Sequence, residues 1–142
     1  METLIPGSIT LDFLENIFRD KSHVRLDENL KGKVEKAAKI VEDSAKGNSP
    51  VYGVNTGFGK LANKIIPQED REKLQKNLVL SHCSGVGEPL QENVTRLMMI
   101  LKIISLSFGA SGVKWSTINQ IEKIVNSDIV PEIPHQGSVG AS

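Results

Sequence analysis

Three stretches of the sequence hold residue types that could do chemistry. The first is Val51-Tyr52-Gly53-Val54-Asn55-Thr56-Gly57-Phe58-Gly59-Lys60, a phenol set among glycines. A tyrosine in such a loop is usually partly buried, with its hydroxyl bonded to backbone. Its functional reading is a general acid or base held by a tight backbone, which requires the phenol to give up its proton. The same loop invites a phosphate reading, because Gly57-x-Gly59-x-x-Ala62 matches a relaxed dinucleotide fingerprint. That motif needs a buried strand before it and a long helix after it. Pro67 arrives too early for the helix, and Leu61 stands where a phosphate loop has Ser or Thr after its lysine. No nucleotide is expected.

The second stretch is Ser81-His82-Cys83. A catalytic Cys/His pair is not expected, since neighbouring helical residues point about 100° apart and do not face each other. Cys83 reads as a small packed side chain. His82 follows Leu74 and Leu78 at helical spacing, so it continues an apolar face or projects into a site at the helix end. His23 and His135 lie in polar breaks and share no ligand spacing with it, so no metal site is expected. The third stretch is Gly137-Ser138-Val139-Gly140-Ala141-Ser142. Small residues at a terminus usually form a flexible tail. Here a proline-stiffened apolar segment, 129–134, leads into them, and no charged residue solubilises them.

The elements that must position these stretches are helices. Thr10 suits an N-cap with Asp12 in the first turn, and Leu11, Leu14, Ile17 and Phe18 share a helical face. A second helix is expected from about Asp27 to Gly47-Asn48, with Gly47 as a left-handed cap. The third spans about 68–83, opened by Pro67 and the acidic pair Glu69-Asp70. The fourth spans about 90–108. Its stripe is Leu90, Val94, Leu97, Met98, Leu101 and Ile104, widened by Met99, Ile100 and Ile103 until most of the circumference is apolar. Such a helix wants burial in a larger assembly. The fifth spans about 113–126, with Ile118, Ile121 and Val125 in line. Short irregular or strand segments are expected near 3–9 and 51–60, and no βαβ unit is evident. The fold class is mainly α, in a single domain over 1–142.

Composition narrows the rest. Among 142 residues, 17 basic and 17 acidic side chains cancel, so nothing global favours nucleic acid or an anionic membrane. A hydrophobic content of 39% is ordinary for a globular protein. A single cysteine fits a reducing cytosol. No signal peptide is read at the amino terminus, and the run 97–108 is too short and too polar for a membrane span.

Four segments together resemble the aromatic amino acid ammonia-lyases. Tyr52-Gly53-Val54-Asn55-Thr56-Gly57-Phe58-Gly59 is similar to that family's signature loop. Asn77-Leu78-Val79-Leu80-Ser81-His82, followed by Gly85-Val86-Gly87, resembles its selectivity segment. Residues 97–112 resemble its central helix and the Ser-Gly turn after it. Residues 134–142 resemble the approach to its prosthetic-group loop, which in the family reads Gly-Ser-Val-Gly-Ala-Ser-Gly-Asp. The likeness runs over the whole chain in the family's order and spacing.

The resemblance implies the helical N-terminal domain of the ammonia-lyase/fumarase-like helical-bundle fold. It implies a 4-methylidene-imidazol-5-one formed autocatalytically from Ala141, Ser142 and a following glycine, and no metal. Glycine tolerates the dihedrals such a ring closure requires. Tyr52 would be the base that takes a proton from the substrate β-carbon, and Asn55, Gly59, Ser81 and His82 would bind substrate. Phenylalanine and tyrosine enzymes of the family carry Phe-Leu or His-Leu where this chain has Ser81-His82. A polar pair can hydrogen-bond an imidazole nitrogen that an apolar pair would leave unpaired. The implied reaction is therefore L-histidine to trans-urocanate and ammonia. A cytoplasmic homotetramer is implied, with neither nucleic acid nor membrane as a partner. The glycine that would close the ring does not follow Ser142 in this sequence, and family members are several times longer. The 142 residues alone are accordingly expected to be inactive. The alternatives are a tyrosine or phenylalanine lyase or aminomutase, or a non-catalytic helical piece that self-associates or docks on a longer chain.

Overall fold

Thr10 starts the first helix as a cap should. Its backbone is extended, and its Oγ1 accepts the Phe13 N–H at 3.2 Å. This satisfies one of the orphan amides of α1 (Leu11–Asp20). The computed structural model describes residues 1–127 and 129–138. They form a mainly helical chain of two compact units. One comprises Met1–Lys39 and Pro89–Ile133, the other Ile40–Glu88 and Pro134 onward.

In the first unit, strands β1 (Glu2–Leu4) and β2 (Val24–Leu26) flank α1 and pair in parallel, with Leu4 opposite Leu26. This small β-α-β arrangement corrects the sequence reading, which found none. Three-residue strands are too short to show a period-two pattern. Side chains of α5 (Trp115–Asn126) close the free edge of β2. Asn126 Oδ1 accepts the Val24 N–H at 2.9 Å, and Asn126 Nδ2 donates to the Val24 carbonyl at 2.7 Å. Glu122 Oε1 accepts the Leu26 N–H at 3.0 Å.

The apolar core lies between these strands, α1, α4 (Glu92–Ser107) and α5. Leu4, Ile17, Val24, Ile100, Ile103 and Ile118 are at most 1% exposed. Two expected stripes shift. Leu11 is 83% exposed, while the rest of the expected α1 face holds, with Ile17 buried and Leu14 and Phe18 half-buried. On α4 the buried line is Ile100, Ile103, Ile104 and Ser107, while Met98 and Leu101 are exposed. A helix apolar on most of its circumference gives periodicity no way to choose the face that packs.

Helix α2 runs Lys31–Lys46 after a single 3-10 turn, Glu28–Leu30, capped by Asp27. Its residues 40–46 belong to the second unit. That unit also holds the loop 51–66, α3 (Gln68–His82) and two paired strands, β3 (Val86–Pro89) and β4 (Pro134–Gln136). Pro67 fixes the entry to α3, and Glu69 and Asp70 stand in its first turn. Gly47 is not left-handed as the sequence led one to expect. Side chains from elsewhere in this unit take the carbonyls at the end of α2, so no left-handed cap is required. Among the described residues no helix is long and apolar enough to cross a membrane.

Candidate active site

The loop 51–66 is organised by Asn55, which is fully buried. Its Oδ1 accepts the Val51 N–H at 2.7 Å. Its Nδ2 donates to the carbonyls of Ser44 at 3.3 Å, Gly47 at 3.2 Å and Ser49 at 2.9 Å. Its own backbone carbonyl accepts the Ile66 N–H at 2.8 Å. One amide thus joins the end of α2 to the start of the loop, and its backbone joins the start to the end. Thr56, also buried, accepts the Gly53 N–H at 3.3 Å and donates to the Gly57 carbonyl at 3.0 Å. It bridges to Ile65 in antiparallel fashion. Gly59 opens a single 3-10 turn with φ at +55°, the left-handed region that favours glycine.

This scaffold presents Tyr52. The ring packs edge-on against Phe58, with centroids 5.8 Å apart and planes at 76°. Tyr52 is 57% exposed, which corrects the expectation of a half-buried phenol bonded to backbone. The glycines around it supply loop conformation rather than cover.

The last turn of α3 folds its own side chains back onto its carbonyls. Ser81 Oγ donates to the Leu78 carbonyl at 2.9 Å, and Cys83 Sγ to the Val79 carbonyl at 2.9 Å. His82 Nδ1 lies 2.8 Å from the Leu78 carbonyl and 3.0 Å from Ser81 Oγ. A carbonyl only accepts, so that contact assigns the proton to Nδ1. In the neutral ring Nε2 is then the acceptor, and it makes no hydrogen bond among the described residues. His82 and Cys83 are both exposed rather than part of an apolar face. No residue of α3 is buried, which is why the Leu74–Leu78–His82 spacing misled.

Beyond α3 the chain pairs with a distant segment. Gly85 approaches Pro134 so closely that a Cβ on it would stand 2.8 Å from Pro134 Cγ. At Gly87, φ is +91° and a Cβ would stand 2.6 Å from His135 Cε1. His135 Nδ1 reaches the Glu88 carbonyl at 2.9 Å. A Cβ on Gly137 would lie 3.6 Å from Gly85 Cα, in ordinary contact. The start of the terminal Gly-Ser-Val-Gly-Ala-Ser therefore lies against the segment that follows Ser81-His82. Ala141 and Ser142 themselves lie outside the described residues.

Tyr52, Asn55, Gly59, Ser81 and His82 all fall in the second unit, with the approach to the terminal loop. The sequence reading missed Arg71, whose guanidinium joins Ile66 to the end of α2. A base in a first helical turn opposes the helix dipole, and that misfit was the available signal. In the first unit, a cavity of about 160 Å³ is lined by Lys21, Glu92, Arg96, Met99 and Val125 among others. Lys21 and Glu92 pair there at 3.3 Å, and none of Tyr52, Asn55, Gly59, Ser81 and His82 lines it.

Comparison with known proteins places this geometry. The family model described as aromatic amino acid lyase matches residues 9–142. Histidine ammonia-lyase from Trypanosoma cruzi is 33% identical, with a TM-score of 0.85, over 99% of this chain and 27% of that one. Ergothionase from Treponema denticola is 25% identical, with a TM-score of 0.89, over 98% of this chain and 28% of that one. Tyrosine aminomutase from Streptomyces globisporus is 28% identical, with a TM-score of 0.87, over 96% and 26%. The chain spans about a quarter of the length of the structures it matches.

Proposed function

The chain belongs to the aromatic amino acid lyase family, and from that premise we propose that the polypeptide carrying these residues is a histidine ammonia-lyase. Its reaction would convert L-histidine to trans-urocanate and ammonia. One observation carries the reading. The β3·β4 pairing lays the approach to Ala141-Ser142 beside the end of α3, where Ser81 and His82 stand.

The prosthetic group of this reading is a 4-methylidene-imidazol-5-one from Ala141, Ser142 and a following glycine, and it supplies an electrophile. The described residues fit its approach, since Gly85 and Gly87 leave a groove that any Cβ would fill and β4 runs along it. The remaining roles belong to side chains of this chain. Tyr52 takes the β-carbon proton, a task for a phenolate in a desolvated place. His82, held through Nδ1, offers Nε2 as acceptor to an imidazole N–H. Ser81 fixes the His82 ring and adds a hydroxyl beside it. Asn55 and Gly59 shape the loop that carries Tyr52.

Tyr52 is more than half exposed in this chain, as are Val79, Leu80 and Val86. That exposure supports a homotetramer in which further chain completes and dries the site; the same reading takes the enzyme as cytoplasmic, with neither nucleic acid nor membrane as partner.

The test is turnover by the native polypeptide on L-histidine, ergothioneine, L-tyrosine and L-phenylalanine, with product absorbance and ammonia both followed. Histidine should be preferred, and Tyr52→Phe should lower its kcat by about 10²–10⁴-fold without loss of folding. Preference for tyrosine or phenylalanine overturns the substrate. No ammonia from the three amino acids and no trimethylamine from ergothioneine overturns the lyase.

A further inference from the structure

We propose that Arg71 is a positioning residue, which sets the loop bearing Tyr52 by clamping its far end to the last turn of α2. The functional half of this statement rests on the reading of Tyr52 as the base.

Arg71 stands in the first turn of α3 and is half-buried. Its Nε donates to the Ile66 carbonyl at 2.9 Å, and its Nη1 donates to the Ala45 carbonyl. Ala45 lies in the last turn of α2, where carbonyls have no partner within the helix. The neighbouring Ser44 carbonyl is the one Asn55 takes. Two adjacent carbonyls at the end of α2 thus receive the two ends of one loop, Asn55 at the near end on Ser44, whose carbonyl also takes the Gly47 N–H at 3.1 Å, and Arg71 at the far end on Ala45. The Ile66 N–H to Asn55 carbonyl bond closes the frame at 2.8 Å. Tyr52 sits inside it, one residue after Val51, whose N–H is held by Asn55 Oδ1.

Several features suit a guanidinium to this place. Its planar fork holds two donors in fixed directions, which a flexible ammonium does not. A cation also complements the negative end of the α2 dipole, which offsets its poor place in the first turn of α3. The two hydrogen-bond partners of Arg71 are both neutral carbonyls. Both bonds go to backbone, the part of a positioning residue.

The experiment compares wild type, Arg71→Met and Arg71→Lys in the native polypeptide. Methionine keeps the stem and removes every donor. Arg71→Met should lower kcat on the preferred amino acid by about tenfold or more with little change in KM, since a displaced base slows chemistry without loosening binding. Arg71→Lys should recover only part of the loss. Amide exchange at Gly57 and Ile66 should speed up in Arg71→Met, while exchange at the buried amides of α4 stays slow. Unchanged kcat overturns the proposal, whether or not the melting temperature falls. Slow exchange at Gly57 and Ile66 in Arg71→Met overturns the clamp itself. If Arg71→Met fails to fold, Arg71→Lys carries the same two readouts with smaller shifts. An inactive wild type would sink the lyase reading, and the exchange arm would then decide the clamp alone.

Discussion

The two units of this chain are held together by different physics. In the first, Leu4, Ile17, Val24, Val34, Ile100, Ile103 and Ile118 are packed out of water, and the stabilising term is apolar area buried. In the second, no hydrophobic side chain among the described residues is buried, and the buried side chains are Asn55 and Thr56. There the ties are directional. Asn55 and Arg71 reach the end of α2, and the side chains of Ser81, His82 and Cys83 fold onto their own helix. Apolar packing resists unfolding but is indifferent to small rotations. Hydrogen bonds to fixed carbonyls set direction and contribute only about 0.5–1.5 kcal/mol each. Tyr52, Asn55, Gly59, Ser81 and His82 all lie in the second kind of structure.

The sharpest way to break this contrast is to cut a hole in the first unit. Ile100→Ala should cost about 2–5 kcal/mol of unfolding free energy, by lost transfer energy and a residual cavity. Amide exchange should rise together across α1, α4 and α5, because they share one core. Turnover of the native polypeptide, measured well below its melting point, should stay within about twofold of wild type, because Ile100 packs in the core of the first unit and the residues read as reacting belong to the second. A large fall in kcat with intact folding would show that core packing sets the site after all.

Asn55→Ala probes the other side with a smaller stability effect. It takes the Asn55 amide from the Val51 N–H and from the Gly47 and Ser49 carbonyls, and leaves the Ser44 carbonyl with the Gly47 N–H alone, at a cost of about 1–3 kcal/mol. The loss should appear as faster exchange confined to 51–66, with kcat lowered more than stability predicts. Global destabilisation with unchanged kcat would erase the distinction between the units.

The same contrast explains what the sequence made legible. The helices were readable because caps and apolar spacing are local: Thr10, Pro67 and the Ile118–Val125 line each act within a turn or two. The packing face of α4 was not readable, since the choice among apolar faces depends on what arrives from α1 and α5. The loop was recognisable by its glycines, and Asn55 by the motif around it. The partners of Asn55 were invisible, because they are backbone carbonyls, and every residue type carries one. The β3·β4 pairing was equally hidden. Its two strands lie far apart in sequence and are fully exposed, so neither shows alternation. What could be read there was the pair of glycines at 85 and 87, and they mark the close approach.

That approach offers the test with the smallest signal, a coupling energy, and the most specific one. Gly87→Ala should strain the chain in two separable ways. Alanine at a φ of +91° costs about 1–3 kcal/mol whatever surrounds it. Its Cβ would also meet the His135 ring, so the ring must turn away and surrender its bond to the Glu88 carbonyl, a further 0.5–1.5 kcal/mol or about that. In the His135→Ala background, where that bond is already gone, Gly87→Ala carries only the first cost. A double-mutant cycle on unfolding free energy should therefore give a coupling of about 1 kcal/mol between the two positions. The consequence for activity runs through Gly137 and the residues after it, which the pairing holds beside the end of α3. If the cycle shows coupling and kcat falls with Gly87→Ala, the pairing positions the terminal loop for chemistry. If coupling appears with kcat unchanged, the pairing is only a fastening, and the directional bonds of the second unit matter at the Tyr52 loop alone.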